Sequence, residues 1–193
     1  MTRNTERTRR AVLNAAVEVV QQEGTGATLG AIASRAGVSK GGLLHHFRTR
    51  EELLTAVVHD LLETLQQQVF LRVDLSENRP GKLLRGYVRA LLEDDSNALT
   101  HFDDTSLWGT LAVIPGVSEI LQADAESWRS KFAGDGLHLD RILVVQHAAE
   151  GLAGALCWDT ALTPDVVRQA REAILALTDQ NGPLADQNGP LAG

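Results

Sequence analysis

The sequence predicts an all-α protein in which a basic N-terminal part precedes an acidic helical body. Apolar residues recur at helical spacing in almost every segment of the 193 residues, and no stretch alternates as a β-strand would. Residues 1–50 hold eight basic side chains against three acidic ones, although the whole chain carries a net charge of −7. This division of charge predicts two parts with different partners.

Residues 28–47, TLGAIASRAGVSKGGLLHHF, predict two short helices joined by a tight turn. Thr28 and Ser39 have the chemistry of N-caps, and Gly37 stands where the first helix needs a left-handed residue to end. Leu43 and Phe47 fall on the inner side of the second helix. Helix, glycine-containing turn and helix form a helix-turn-helix, whose second helix lies in the major groove of DNA.

The helices on either side complete an N-terminal domain over residues 5–65. A first helix has Val12, Ala16 and Val20 on one face and closes at Gly24. After the helix-turn-helix, Thr49 and Glu52 predict a capping box that opens a long helix running to about Arg72. A basic domain on an acidic body indicates one part that binds phosphates and one that avoids DNA.

The body, residues 66–178, is predicted to be helical throughout. Periodicity directs Lys82, Arg85 and Arg89 outward from a helix that starts at Pro80. The stretch from Leu139 to about Thr160 is apolar nearly all round, which predicts cover on every side. Further helices are predicted over 107–114, from Val117 to about Phe132, and from Thr163 with Pro164 at the first helical position.

Bulk properties narrow the class of protein. A single cysteine, Cys157, excludes an internal disulfide and a cysteine-based zinc site. The start lacks the apolar stretch of a signal peptide, and the longest apolar run is too polar for a membrane span, so a cytoplasmic protein without membrane association is expected. The heptapeptide DQNGPLA occurs twice in residues 179–193, which predicts a disordered, duplicated tail.

The N-terminal stretch resembles the TetR (AcrR-like) family of bacterial transcriptional repressors. The resemblance lies in RRAVLNAAVEVVQQEG, in TLGAIASRAGVSKGGLLHHF and in RTREELLTAVV, and covers roughly Arg7 to Leu65. It implies an all-helical protein with a C-terminal ligand-binding and dimerisation domain. It also implies a homodimer that presents two DNA-reading helix-turn-helix domains.

Carried over by position, the resemblance implies DNA contacts at the helix starts, along the second helix and at the start of the linking helix. Leu44 departs from the family pattern, which usually has an aromatic there, commonly Tyr. A leucine side chain donates no hydrogen bond, so Leu44 is not expected to make the hydrogen bond to phosphate, although its position still falls on the DNA-reading helix. The predicted DNA-binding residues are Thr28, Ser39, Lys40, Gly41, Gly42, Leu44, His45, His46 and Arg50.

Two further sites are predicted in the body, each with ordinary core packing as its alternative. Aromatic side chains with a few polar groups are typical of a ligand pocket, and small residues allow close helix packing between subunits. The ligand residues are Phe102, Trp108, Trp128, His147, Glu150 and Trp158, although His147 and Glu150 are close enough to pair with each other. The dimer residues are Gly151, Gly154, Ala155, Val167 and Ile174.

The predicted function is a regulator that binds double-stranded operator DNA as a homodimer and is released by an unknown small-molecule effector. No cofactor and no metal site is expected. The sequence has no nucleophile motif, metal spacing or phosphate loop, so an enzyme is not expected. The alternatives are a ligand-independent, architectural DNA-binding protein and, more remotely, an enzyme with an unrecognised site in the helical body.

Overall fold

The structure is a computed structural model that describes residues 3–93, 105–156, 158–179 and residue 184. These residues form nine α-helices and no strand, as the sequence predicts. The helices are α1 (Arg3–Glu23), α2 (Leu29–Arg35), α3 (Lys40–His46), α4 (Arg50–Leu71), α5 (Lys82–Leu92), α6 (Thr105–Ala112), α7 (Val117–Ala133), α8 (Leu139–Ala155) and α9 (Pro164–Ala176).

The described residues divide into two compact units. The first contains residues 3–63 and 105–123, and the second contains residues 64–93 and 124–179 without residue 157. The helix α4 is continuous, with its first turns in the first unit and its last turns in the second. Among the described helices, none has both the length and the apolar composition of a membrane span.

The predicted helix ends of the helix-turn-helix are confirmed in the first unit. The Thr28 hydroxyl accepts the Ala31 N–H at 3.1 Å, and the Ser39 hydroxyl accepts the Gly42 N–H at 3.0 Å. Gly37 has a φ of +67°, the left-handed conformation that a side chain would strain. These local signals set the turn between α2 and α3.

Apolar side chains at helical spacing then hold the first unit together. Ile32 of α2 and Leu43 of α3 are fully buried, and Phe47, just after α3, is 3% exposed. The Arg9 guanidinium lies 5.5 Å from the centre of the Phe47 ring, a cation–π contact from α1. The core of this unit is formed by Val12, Ala16, Val20, Ile32, Leu43, Phe47, Leu53, Leu54, Leu107 and Leu111.

The capping box at the start of α4 is present with one change of partner. The Thr49 hydroxyl accepts the Glu52 N–H at 3.0 Å, as predicted. The Glu52 carboxylate accepts the backbone N–H of Arg48 at 2.8 Å. One free N–H group of α4 and one backbone N–H just before the helix are therefore satisfied, which favours a helix start at this point.

An aromatic cluster lies in the core of the second unit. The Tyr87 ring centre lies 5.1 Å from that of Trp128 and 5.3 Å from that of Phe132, both in edge-on geometry. Trp128 and Phe132 stack at 5.4 Å. The rings pack with Leu65 and Val69 from the end of α4 and with apolar residues of α5, α8 and α9. Such aromatic packing adds to the burial energy of the core.

The start of α5 differs from the prediction. The helix begins at Lys82, after Gly81, whose φ is +87°, so Pro80 is not its first residue. The Asp135 carboxylate accepts the backbone N–H groups of Leu83 at 2.7 Å and Leu84 at 3.2 Å. The cap therefore comes from a distant loop, which the local Pro-Gly signal could not show.

The outward orientation predicted for Arg85 is wrong. Its side chain is 1% exposed, and its Nε donates to the Glu77 carboxylate at 2.6 Å. Its guanidinium also donates to the Pro80 carbonyl at 2.9 Å and the Thr178 hydroxyl at 3.2 Å. Partners outside α5 fill the donor positions of this arginine, and such pairing is what allows a charge to be buried.

The long apolar helix also differs from the prediction. It ends at Ala155, before the predicted Thr160, and one of its sides is uncovered in the single chain. Leu139 is 60% exposed and Val144 is 45% exposed, because no described helix packs on them. The opposite side, with Ile142, Val145 and Ala149, is buried in the second core.

Candidate nucleic-acid interface and effector site

The outer face of α3, which we define as Lys40, Gly41, Leu44 and His45, is exposed. Leu43 and Phe47 anchor the opposite side of α3 in the core, so the helix cannot turn this face inward without losing both contacts. Gly42 and His46 lie between the two sides and are half-buried. The residues predicted to read DNA along this helix thus share one accessible surface, with His46 at its edge.

The two glycines of α3 have different surroundings. A Cβ built on Gly41 would meet no atom within 4 Å, whereas one on Gly42 would lie 3.2 Å from the Ser39 hydroxyl. Glycine costs a helix about 1 kcal/mol relative to alanine. A side chain at position 42 would crowd the Ser39 hydroxyl that caps α3, so the fold itself favours glycine there. For Gly41 the described residues give no such reason, so an external partner is the better explanation.

The hydroxyls of Thr28 and Ser39 are exposed at the starts of α2 and α3. Each oxygen already accepts a backbone N–H as a cap. Because a hydroxyl is also a donor, its O–H remains free to reach a phosphate oxygen. Capping and phosphate binding are compatible at both positions.

The basic residues of the first unit differ in whether they make ion pairs. Arg10 pairs with Asp60 at 2.6 Å, and Arg35 contacts Glu18 at 3.3 Å and Gln22 at 2.9 Å. In the part of the chain that the structure describes, the exposed side chains of Arg7, Lys40 and Arg48 make no ion pair. Together with Arg9, they are the cations available to a polyanion.

Arg50, predicted as a phosphate contact, has structural partners. Its Nε donates to the Ala27 carbonyl at 2.7 Å, and a terminal nitrogen donates to the Thr25 carbonyl at 3.1 Å. These bonds tie the start of α4 to the turn before α2. Arg50 therefore supports the helix-turn-helix from within, whatever else its charge contacts.

The adjacent histidines of α3 face different ways. The ring centres of His45 and His46 lie 5.8 Å apart in edge-on geometry, and His46 also lies 6.4 Å from Phe47. Among the described residues, no group of three or more potential ligands is arranged to hold a metal ion. The pair is better placed for an exposed contact by His45 and an edge contact by His46.

In the second unit, Tyr87, Gln146, His147 and Glu150 form a polar cluster. The Glu150 carboxylate accepts the Tyr87 hydroxyl at 2.8 Å and the Gln146 amide at 2.9 Å, and it lies 3.0 Å from His147 Nδ1. Burial, and then the charge of Glu150, raise the pKa of the Tyr87 hydroxyl, so it remains a hydrogen-bond donor. The cluster joins α5 to α8.

One acceptor of the polar cluster has no partner. Gln146 is 5% exposed, and its side-chain carbonyl Oε1 is buried without a hydrogen bond among the described residues. A buried acceptor without a partner is costly, so a hydrogen-bond donor placed against Gln146 Oε1 would be favourable. Asp124 adds a second carboxyl near Trp128, and burial raises the pKa of that carboxyl.

The structure does not bring all the predicted ligand residues together. Trp128 packs against Tyr87, and His147 and Glu150 belong to the polar cluster, whereas Trp158 is 70% exposed. Trp108 belongs to the first unit, and Phe102 lies outside the described residues. Tyr87 and Gln146 are the members that the predicted site lacked. Tyr87 fitted a core position of α5, so its spacing gave no sign of its polar partner.

A separate open groove of about 360 Å³ lies elsewhere in the second unit. None of the predicted ligand residues lines it, and its walls come from the end of α4, the start of α5 and the loop after α7. Its lining is mainly apolar with two lysines: Phe70, Val73, Leu75, Lys82, Leu83, Lys131, Gly134 and Asp135.

The predicted dimer residues have unequal exposure in the single chain. Gly151 is exposed, and Gly154, Ala155 and Val167 are half-buried. Ile174 is 9% exposed and packs in the core of its own chain, so it does not belong to an outer surface. Exposed apolar residues beside the predicted set extend the surface: Leu139, Leu143, Val144 and Val166.

Two family models match the chain. Residues 12–57 match the model of bacterial regulatory proteins of the tetR family. Residues 81–179, half of the chain, match the tetracyclin repressor-like C-terminal domain. The chain belongs to the TetR family. It is therefore a DNA-binding transcriptional regulator, and the predicted family, the predicted fold class and the predicted DNA-binding regulatory role are confirmed.

Individual relatives agree with this assignment. The HTH-type transcriptional regulator BetI of Serratia proteamaculans is 28% identical over 177 residues, with 89% of each chain covered. A transcriptional regulator of Rhodococcus sp. Rha1 has the same fold, with a TM-score of 0.72, 21% identity, and 88% and 95% of the two chains covered. The multidrug binding protein EbrR, solved with ethidium, has a TM-score of 0.62 at 23% identity and covers 88% of this chain and 97% of its own.

The family assignment fixes the role of the helix-turn-helix. TetR-family regulators bind operator DNA and dimerise, and the matched families are regulators, not enzymes. In such a protein, α3 is the helix that reads the major groove. The outer face of α3 is exposed on that helix, and Lys40 and Arg48, at and just after the helix, make no ion pair among the described residues.

Proposed function

We propose that this TetR-family protein is a repressor that binds a palindromic operator as a homodimer and leaves it when a small molecule binds the second unit. Residues 5–65 serve as the DNA-binding domain and residues 66–178 as the regulatory domain. The observation that carries the proposal is the outer face of α3, exposed beside unpaired cations on a core-anchored helix. Since operators lie in the bacterial cytoplasm, the protein acts there.

DNA contacts divide by chemistry. Thr28, Ser39, Arg7, Arg9 and Arg48 are placed to contact phosphates, which set the position of the protein on the duplex. Lys40, Leu44 and His45 point toward base edges, and Gly41 and Gly42 leave room for the backbone to approach. His46 reaches a phosphate at the edge of the helix. Arg50 contributes its charge while it keeps the Ala27 and Thr25 carbonyls in place.

The uncovered side of α8 supports homodimerisation. Leu143 is 38% exposed and Val144 is 45% exposed, and Gly151 on the same helix lets a second helix approach. Val166 and Val167 of α9 extend this surface. A two-fold interface buries the same apolar side of both chains. It therefore removes this apolar surface from water without burying additional polar groups.

The polar cluster supports an effector site beside Trp128. A ligand with a hydrogen-bond donor would satisfy Gln146 Oε1 and pack against the aromatic rings. EbrR, a multidrug binding protein with a similar fold, was solved in complex with ethidium, which supports the proposal that this fold can hold a small molecule. The effector should therefore be a partly apolar molecule that carries a hydrogen-bond donor.

Effector and operator are coupled only if the effector prefers the state that does not bind DNA. The continuous helix α4 contributes Leu53 and Leu54 to the first core and Leu65 and Val69 to the second, so it is the element we expect to transmit the preference. Coupling energies of this kind are typically about 1–3 kcal/mol. Bound operator then lowers the affinity of the protein for the effector by the same factor.

Selection from random duplex DNA tests the DNA-binding proposal. We expect an enriched inverted repeat whose half-sites lie about 34 Å apart or somewhat more. Sedimentation of the protein with that duplex should give two chains per operator. A protein that is monomeric at micromolar concentration, alone and on DNA, would refute the homodimer.

Tryptophan fluorescence tests the effector proposal, since Trp128 lies against the polar cluster. Compounds are screened by thermal shift, and the affinity of each hit is measured with and without operator. We expect operator to weaken an effector by about 5- to 150-fold. The variant Gln146→Leu should lose the ligand and keep DNA binding, whereas Leu83→Ala in the separate groove should keep both. Equal ligand affinities in both states would rule out the coupling.

A further inference from the structure

Leu44 is an apolar side chain on a surface that is otherwise polar or bare. It is 37% exposed, between Lys40 and His45 on the outer face of α3. Among the described residues 5–63, it is the one large hydrophobic side chain that is exposed. The exposed part of this side chain would gain free energy from any apolar partner that displaces the water around it.

The fold of the first unit leaves part of the Leu44 side chain uncovered. Leu43 is fully buried and Phe47 is 3% exposed, and these two residues anchor α3 to the core. Leu44 is rotated by about 100° from Leu43 around the helix and is exposed. Its shortening should therefore change the outer surface and leave the anchoring intact.

The major groove offers few apolar partners. Base edges there present hydrogen-bond donors and acceptors, and the apolar group among them is the C5-methyl of thymine. Leucine can neither donate nor accept a hydrogen bond. We infer that Leu44 reads thymine by packing against its methyl group once in each half-site. This inference rests on the proposed operator binding.

Gly41 makes the contact geometrically accessible. It precedes Leu44 by three positions, so both lie on the same side of α3. A Cβ at Gly41 would occupy open space, with no atom of the chain within 4 Å. The bare backbone beside Leu44 lets the helix approach the base edges closely enough for a short apolar side chain to touch one.

Deoxyuridine provides a direct test, because it differs from thymidine by the C5-methyl group alone. The operator obtained by selection is synthesised with each symmetric pair of thymines replaced in turn by deoxyuridine. We expect one pair to lower the affinity of the native protein about fifteenfold, which corresponds to about fourfold for each buried methyl group. The other pairs should change the affinity less than twofold.

Two variants make the result specific. Leu44→Ala should bind the thymine operator about as weakly as the native protein binds the deoxyuridine operator, with no further loss on substitution. Val113→Ala removes a 71%-exposed apolar side chain elsewhere in the first unit and should keep the full thymine preference. Circular dichroism of each variant should show the helical content of the native protein.

The outcomes separate the inference from the proposed function. If the native protein binds the selected operator equally well with thymine or deoxyuridine at every position, Leu44 does not read thymine. The proposed regulatory function would be unaffected by that result. Leu44→Ala that keeps the full deoxyuridine loss would assign the methyl contact to another residue. Failure to select any operator would overturn both.

Discussion

Two arginines of the first unit and two of the second have opposite surroundings. In the first unit, Arg7 and Arg48 are exposed and make no ion pair among the described residues. In the second unit, Arg85 and Arg141 are 1% and 4% exposed, and each donates to groups distant in sequence. Arg85 binds Glu77 and Thr178, and Arg141 donates to the Leu177 carbonyl at 2.8 Å.

The difference shows that the number of arginines in a unit does not tell whether they bind phosphates or stabilise the fold. An exposed arginine adds little to the stability of a fold but attracts phosphates, whereas a buried arginine is held by several acceptors and destabilises the fold when one is removed. The basic surface of the first unit is thus available to DNA. In the second unit, Arg85 and Arg141 bind Thr178 and Leu177, which follow the end of α9.

The largest expected effect comes from Glu77→Gln. This change removes the carboxylate that pairs with buried Arg85 and should lower the free energy of unfolding by about 3 kcal/mol. Urea unfolding measures the loss. Arg168→Ala, which breaks the exposed pair with Asp165, is the control and should change the free energy by less than about 1 kcal/mol. Equal losses in both variants would refute the division between buried and exposed arginines.

Acid should weaken the same contact. Burial by itself raises the pKa of Glu77, but the hydrogen bond and charge of Arg85 outweigh it and hold this pKa below its ordinary value of 4.5. A carboxyl whose pKa is lower in the folded state stabilises the fold above its ordinary pKa and loses that contribution as pH falls through the folded value. Unfolding free energies measured from neutral pH to below 4.5 should therefore fall less steeply for Glu77→Gln than for the native protein. Identical pH profiles would remove Glu77 from the acid response.

Arg50 lies between the two uses. Arg50→Ala removes two hydrogen bonds to backbone carbonyls and should cost the first unit about 1–2 kcal/mol, measured by thermal or urea unfolding. Operator affinity should fall as well, since a positive charge is lost. Arg50→Lys keeps the positive charge but cannot donate to both carbonyls as the guanidinium does. Compared with Arg50→Ala, it should therefore restore more of the operator affinity than of the stability. Full stability in Arg50→Ala would show that the two carbonyl contacts are not structural.

The two glycines of α3 give the smallest and most selective change. Gly41→Ala should stabilise the first unit by up to about 1 kcal/mol, because the new methyl group meets no atom of the chain. It should also weaken operator binding if the backbone approaches DNA there. Gly42→Ala should gain little stability, since its methyl group crowds the Ser39 hydroxyl at 3.2 Å. Gel-shift titration and unfolding of both variants measure the two effects; tighter operator binding by Gly41→Ala would contradict close approach.

The sequence predicted most of the first unit because its signals are local. The caps at Thr28, Ser39 and Thr49 and the left-handed Gly37 each depend on residues within four positions. The helical class and the exposed residues of α3 follow from the same spacing. For this part, periodicity and caps carry most of the structural information.

The second unit was less predictable because its decisive contacts are long-range. Arg85 fits the outward side of α5 by spacing, but Glu77 and Thr178 approach from other segments and bury it. Asp135 replaces the predicted start at Pro80 in the same way. Tyr87 joined the polar cluster because Glu150 lies opposite it on α8. The spacing along one helix does not identify such partners.

The salt dependence of operator binding tests the central claim most directly. If Arg7, Arg9, Lys40 and Arg48 of each chain neutralise phosphates, the logarithm of affinity should fall against the logarithm of salt concentration with a slope of about −7 for a dimer. The double variant Lys40→Ala with Arg48→Ala should reduce the slope to about half and leave the free energy of unfolding unchanged. A slope near zero in the native protein, or a double variant with the native slope, would contradict the assignment of this surface to DNA.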